Sequence, residues 1–303
     1  MLRIGLVYIT ALLIIVFVSI AVFGCGGTAA PQTEEQQFVF LFMSDTQADP
    51  QTGDYGAFGP LLAKALNKAH IPSLLILGGD TVNDGADEDE WQDFFQSVGS
   101  YFEGISVAAA AGNHDNSKHL AGRFTWPDTA PERPDQGYFY SFDMEGVHFT
   151  ILDSNIMGAA NAEDVAWLEA DLSGDAAARA DWRVVVCHHP FWPAADIPKD
   201  INRAETMRGN FLPLLSEYGV DLLFVGHQNI YSRCMPEQGP VQVMVASGGK
   251  TSYTPVERPY LMVTADAPNY VVVTVGADVL EGKAYNVLGK NIDHFYVIKV
   301  MPL

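Results

Sequence analysis

Four consecutive residues, Gly112-Asn113-His114-Asp115, place an amide, an imidazole and a carboxylate in one short loop behind the small apolar run 106–111. Imidazole and carboxylate side by side can hold a cation, move a proton, or do both. Gly, Asn and Asp are also ordinary turn residues, so a single loop of this kind is what a plain strand exit looks like as well. Four further apolar runs end in the same chemistry, at Asp45, Asp80, His188 and His227. Five such endings, all of metal-ligand or acid–base type, exceed what turn formation requires. The donors are oxygen and nitrogen without a thiolate, which suits a divalent ion used in hydrolysis better than a structural cysteine–zinc site.

The elements that must position these residues are legible from periodicity. Phe38–Met43 is a continuous run of β-formers too short for a helix, and it leads into Ser44-Asp45-Thr46-Gln47. Residues 55–68 carry Phe58, Leu61, Leu62 and Leu66 at helical spacing. Leu74–Leu77 is the next strand and ends at Gly78-Gly79-Asp80. Residues 87–101 read as a helix with acidic residues in its first turn. Strand, helix, strand, helix, strand predicts parallel strands joined by right-handed crossovers. Beyond a proline-bearing irregular loop at 123–136, a strand pair is expected at 138–143 and 147–153 about Glu145-Gly146. Ala162–Leu172 is a helix, 183–187 a strand delivering His188-His189-Pro190, 206–218 a helix, and 221–225 a strand ending in Gly226-His227-Gln228-Asn229. From 241 on the pattern is strand and turn only: 241–245, 260–263, 270–275, 280–286 and 293–300. In an open parallel sheet ligands sit outside the carboxyl ends of the strands, where all five chemical endings fall.

The 303 residues, 48% hydrophobic, can bury a large core, as one big α/β domain or two smaller ones. Lys and Arg number 17 against 37 Asp and Glu, a net charge of −20. That field repels nucleic acid and anionic membrane surfaces and argues against either as a partner. A small anionic substrate would need a local positive centre such as a metal ion.

Met1-Leu2-Arg3 followed by an apolar stretch to Phe23 and then Gly24-Cys25 reads as an export signal over residues 1–25. Val22-Phe23-Gly24-Cys25 resembles the bacterial lipoprotein cleavage box, although the stretch is also long enough for an uncleaved membrane anchor. Residues 26–37 form a polar tether, and the globular part, 38–303, is expected outside the cytoplasm, held to a membrane only through its N-terminus. If Cys25 carries lipid, Cys187 and Cys234 remain, either paired as an exported compartment permits or as two separate half-buried thiols.

Taken together, Ser44-Asp45-Thr46-Gln47, Gly79-Asp80, Gly112-Asn113-His114-Asp115, His188-His189-Pro190 and Gly226-His227-Gln228-Asn229 resemble, in order, the motifs of the calcineurin-like metallophosphoesterases, nearest in style to the purple-acid-phosphatase branch. The resemblance implies a four-layer α-β-β-α sandwich of two mixed sheets. It implies hydrolysis of a small-molecule phosphate ester, mono- or diester, by a metal-activated water. Two divalent ions would be bridged by Asp80, the second also held by Asn113, His188 and His227. His114 would act as general acid, oriented by Asp115.

The first metal's ligands depart from the family pattern. Gln47 and Asn229 stand where that pattern has histidines, leaving an oxygen-only set of Asp45, Gln47, Asp80 and Asn229. Such a set favours hard ions and holds them less tightly. The donors do not choose among manganese, iron, zinc and magnesium. Asn83 occupies the position of the purple enzymes' metal-binding tyrosine, so no tyrosinate–iron site is expected. The alternative is a mononuclear or non-catalytic metal-binding surface lipoprotein on the same fold. Four further side chains have readings at the cleft: His189 at the substrate edge or merely solvated, Tyr231 and Arg233 along the phosphate pocket or simply packed, and Trp192 in the core, at the rim or flanking the cleft.

Overall fold

The structure, a computed structural model, describes residues 37–299 apart from 50, 71, 116, 126–137, 158–161, 251 and 267. The expectations for residues 1–25 and most of the tether, and for the proline-bearing part of the loop at 123–136, lie outside the described residues. Among the described residues no helix is long and apolar enough to cross a membrane.

Among the described residues thirteen strands form two sheets. β1 (Phe38–Met43), β2 (Leu74–Leu77) and β3 (Ser106–Ala109) run parallel, with α1 (Phe58–Lys68) and α2 (Glu88–Val98) between them. The carboxyl-terminal strands β11 (Asn269–Val275), β12 (Val279–Asn286) and β13 (Asn291–Ile298) add antiparallel on the far side of β1. The resulting six-stranded order is β13-β12-β11-β1-β2-β3. The second sheet holds β4 (Tyr140–Met144), β5 (Val147–Leu152), β6 (Trp182–Cys187), β7 (Leu222–Val225), β8 (Tyr231–Cys234), β9 (Val241–Met244) and β10 (Leu261–Ala265). Its order is β10-β8-β9-β7-β6-β5-β4, with β5, β6, β7 and β9 parallel. The expected pair of mixed sheets is present.

The sheets pack face to face through aromatic residues: Phe42 stacks on Phe224 at 4.3 Å, and Phe40 meets Phe149 edge-on at 5.3 Å. Strand alternation explains the unbroken apolar runs of β6 and β7. Val184, Val186, Leu222 and Phe224 face the core between the sheets, whereas Val185, Cys187, Leu223 and Val225 face a second core. That second core is closed by Leu168 and Leu172 of α5 (Ala162–Leu172), Met207 of α7 (Pro198–Asn210) and Leu215 of α8 (Leu212–Glu217). With α1 and α2 covering the first sheet, the order of layers is α-β-β-α. Shorter helices among the described residues include α3 (Ser117–Leu120), α4 (Ser154–Met157) and α6 (Asp175–Arg179).

Two corrections concern elements. The helix expected at 206–218 starts at Pro198 and is broken at Phe211. Pro213 cannot donate a backbone N–H and so starts a new helix rather than continuing the old one. The stretch 198–205 shows little apolar spacing because only Ala204 and the carboxylate-bearing Asp200 of that segment are buried. β8, in turn, was hidden within Tyr231-Ser-Arg-Cys. Tyr231 and Arg233 do not reach a phosphate pocket: both bond Asp293 of β13, at 2.7 and 2.6 Å, and tie the two sheets together. Cys187 and Cys234 are free and fully buried, and Trp192 belongs to the second core rather than the rim.

α5 is fastened to its sheet by charge. His148 of β5 contacts Asp143 at 2.9 Å and Asp171 at 3.2 Å, and Thr150 also donates to Asp171. Burial opposes the imidazolium, but the Asp171 and Asp143 carboxylates outweigh it and raise the His148 pKa. A raised histidine pKa means stabilisation that is fully present below the unfolded value of about 6.5 and lost as pH rises through the folded value. His148→Asn is therefore expected to cost about 1.5–3 kcal/mol in acid, with the difference from the parent shrinking towards alkaline pH. Urea unfolding of both proteins across that range measures it.

Candidate metal centre

The strand exits converge across the two sheets. Asp45, Asp80, and the Asn113-His114 pair leave β1, β2 and β3 of the first sheet, while His188 and His227 leave β6 and β7 of the second. Asp80, His188 and His227 each offer a donor atom, and these atoms lie within 4.8 Å of one another, the one such group among the described residues. Asp80 Oδ2 is 3.3 Å from His188 Nε2, and its Oδ1 accepts the His114 backbone N–H at 2.8 Å. Burial alone would push the Asp80 carboxyl up, but His188 beside it wins and holds it well below the carboxylate range. Burial likewise opposes charge on His188, and Asp80 and Asp45 overcome that and raise it to about 9.

The turns that carry these residues are strained. Asp45, Asp80, His227 and Asn229 all have left-handed backbones, with φ of 52°, 52°, 76° and 50°. Such conformations persist where surrounding bonds over-determine them. Here the Asp45 carboxylate accepts the His227 N–H at 2.9 Å and the Ser44 hydroxyl at 2.8 Å. Two glycines permit the contact between turns: a Cβ on Gly112 would lie 2.1 Å from the Asp80 backbone nitrogen, and one on Gly226 2.3 Å from Asp45 Oδ2.

Donor chemistry fixes two rings. A carbonyl can only accept, so His188 Nδ1, 3.0 Å from the Gly78 oxygen, carries a hydrogen, and Nε2, facing Asp80, is the atom that would give up its proton to bind an ion. His227 Nε2 is held at 3.0 Å by Asp200 Oδ1, leaving Nδ1 as its second donor atom. A carboxylate behind a ligating imidazole orients the ring and raises its basicity. Buried polar atoms are rarely unpartnered, yet His188 Nε2 and both amide atoms of Gln47 have no hydrogen-bond partner. The imidazole and amide-oxygen lone pairs suit a divalent ion, so the residues fit one.

Asn113 is exposed, one residue before His114, whose backbone N–H bonds Asp80. Asn229 turns its amide towards the His227 carbonyl at 3.4 Å, and Asp45 is spoken for by His227 N–H and Ser44. The role expected of Asp115 needs correction. Its carboxylate, pushed up to about 7 by burial and then by Asp80, accepts N–H groups from Gly112, Thr81 and Val82 rather than touching the His114 ring. The ring is held instead by the Asn83 carbonyl at Nδ1, 2.8 Å, and by Lys250 Nζ at Nε2, 3.0 Å. His189 is neither at the substrate edge nor solvated. It is buried, 2.9 Å from the Ser154 hydroxyl and with its ring 4.3 Å from that of His227. Asp200 and Lys250 escaped the sequence reading: one sits in a polar helix start without apolar rhythm, the other follows Gly248-Gly249 with no strand exit to mark it. A lysine behind paired glycines in so acidic a chain was the available signal.

The model of the calcineurin-like phosphoesterase family matches residues 38–231, and the chain belongs to that family. Among curated relatives it is 27% identical over 184 residues to purple acid phosphatase 23 of Arabidopsis thaliana and 26% identical over 185 residues to purple acid phosphatase 15. Those matches cover 56% of this chain but only 39% and 34% of the relatives' lengths. Among solved structures, the purple acid phosphatase of yellow lupin (Lupinus luteus) seeds superposes with a TM-score of 0.72 at 16% identity, covering 87% of this chain and 54% of that one. A dimetal phosphatase from Danio rerio gives 0.64 at 16% identity over 86% and 99%. GAP50, the anchor in the inner membrane complex of Plasmodium, gives 0.68 at 18% identity over 87% and 90%. At these identities the structural likenesses establish the four-layer fold.

An ion that binds only the folded state stabilises it, by about 2.7 kcal/mol at a hundred times its dissociation constant. Excess manganese or zinc is thus expected to raise the thermal midpoint of the metal-stripped protein. His188→Ala should remove most of that increment, read as the difference with and without metal for each variant.

Proposed function

We propose that this chain hydrolyses small-molecule phosphate esters with the help of divalent metal, as an exported protein tethered at its N-terminus. Family membership and the purple acid phosphatase relatives support phosphoester hydrolysis in general. The observation that carries the reading is the meeting of Asp80, His188 and His227 from two sheets, with His114 bonded through its backbone to Asp80. These three, with Asn113 alongside, would hold one ion, and Asp45, Gln47, Asp80 and Asn229 a second and weaker one. A bound divalent ion supplies Lewis-acid polarisation of a phosphoryl oxygen and lowers the pKa of a water.

The chain's own residues do the rest. The Asn83 carbonyl fixes Nδ1–H of His114, so Nε2 is the atom left to meet a substrate. A protonated Nε2 there donates to the leaving oxygen, a role worth about 10²–10⁴ in rate. Asp200 keeps His227 in one orientation, and Asp115 clasps the loops after β2 and β3 so that Asp80 and His114 keep their spacing. The apolar stretch ending at Gly24-Cys25 supports export and tethering.

A second reading has its own observation. Asn229 bends to a main-chain carbonyl of its own turn, which favours a single ion and a binding role. The expected outcome under the first reading is turnover of aryl phosphate mono- or diesters by the manganese-loaded protein, with His114→Ala lowering kcat by about 10²–10⁴. One metal per chain by elemental analysis, with no turnover of either ester, would establish the binding protein instead. Asn229→His should raise metal content towards two per chain if the first position is short of a donor.

A further inference from the structure

We infer that Lys250 is the residue of this site that recognises phosphate, donating to a non-bridging phosphoryl oxygen of the ester beside the metal cluster. The inference rests on the proposed phosphoester chemistry and adds a binding residue to it.

Lys250 sits on the loop that follows β9, and that loop is pinned to the metal-bearing turns on both sides of it. Before it, the Ser247 N–H donates to the Ser44 carbonyl at 2.7 Å, and Gly248 lies so close that a Cβ would come 2.2 Å from the Asp45 carbonyl oxygen. After it, the Tyr253 N–H donates to the Gln228 carbonyl at 3.3 Å. Held at both ends, the loop brings the Lys250 ammonium to 3.0 Å from His114 Nε2, the atom a leaving oxygen would approach.

The chemistry of that contact is unusual for a lysine in a chain with 37 acidic and 17 basic side chains. Lys250 is half-buried, and among the described residues no carboxylate lies within ion-pair distance of its Nζ. Burial opposes its charge and outweighs Asp80, Asp45, Glu90 and Asp115, which favour it from beyond contact, and the hydrogen-bond partner of its ammonium is His114 Nε2. An ammonium has three donors, so two remain for another acceptor. A half-buried cation without a counter-ion is costly unless something anionic completes it. A phosphoryl group placed against the Asp80, His188 and His227 cluster, with its leaving oxygen towards His114, is the anion that fits. Such an anion takes up the free donors and draws the ammonium away from Nε2, which is then free to take a proton from solvent and pass it to the leaving oxygen. In a protein whose overall field repels anions, a fixed local cation adds to whatever the metal supplies.

The test is calorimetric titration of inorganic phosphate into the manganese-loaded full chain, alongside KM and kcat for an aryl phosphate, on the parent, Lys250→Met and Lys250→Arg. Loss of a charge-assisted bond is expected to weaken phosphate binding and raise KM roughly ten- to hundred-fold in Lys250→Met. Lys250→Arg should recover part of both. Manganese content and thermal midpoint should match the parent, since Lys250 is neither a metal ligand nor a core residue. Unchanged phosphate affinity and KM in Lys250→Met would overturn the assignment while leaving the esterase reading intact. Lys250-dependent phosphate binding without turnover by the parent would do the reverse. A parent that neither binds phosphate nor turns over ester would overturn both.

Discussion

The candidate metal centre depends on one constraint: its donors come from two different sheets. Asp45 and Asp80 belong to the first, His188 and His227 to the second, and the contacts Asp80–His188 and Asp45–His227 cross between them. The distances are therefore set by how the sheets sit on one another. That register is fixed by the aromatic packing of Phe40 and Phe42 against Phe149 and Phe224, each buried ring contributing about 1.5–3 kcal/mol. The bonds from Tyr231 and Arg233 to Asp293 hold the sheets together elsewhere. A site of this construction inherits its precision from the core rather than from its loops.

The loops add a second kind of precision, through close approach instead of volume. Gly112 against Asp80 and Gly226 against Asp45 bring main chain to main chain or carboxylate, where no side chain fits. Left-handed turns at Asp45, Asp80 and His227 then aim the donors inward, and carboxylates accepting backbone N–H groups keep them there. Asp115 belongs to this scaffolding. The family resemblance suggested a partner for the His114 ring, but the Asp115 carboxylate accepts amides of its own loop and of the loop after β2.

Much of this was legible in the residues. The strand exits at Asp45, Asp80, Asn113, His188 and His227 were found because each follows a run that alternation between two cores makes continuously apolar. β1 and β2 came out at their observed bounds for the same reason, and the helix Ala162–Leu172 from its own helical spacing, with Leu168 and Leu172 buried one turn apart. What stayed hidden lacked a local signature. Asp200 supports His227 from a helix start with almost no buried apolar residue, so periodicity passes over it. Lys250 sits on a loop pinned at one end to the Ser44 turn, roughly two hundred residues earlier, and at the other to Gln228, relations that no window of sequence displays. The pairing of Tyr231 and Arg233 with Asp293 is equally non-local. Their place just past His227 suggested a pocket, while the strand they form turns them towards the other sheet.

The position of β1 has a consequence for how the protein is made. The strand that opens the domain lies in the interior of its sheet, with Phe38 opposite Val275 on one side and β2 on the other. A chain emerging N-terminus first must leave that edge unsatisfied until nearly the whole length has followed. Assembly is thus a late, all-or-nothing event rather than a progressive one, and such non-local pairing is intrinsically slow. The segment 38–231 that carries the family likeness lacks the strand that completes β1. A ribosome releasing the chain early would leave the six apolar residues of β1 with an open edge in search of a final partner.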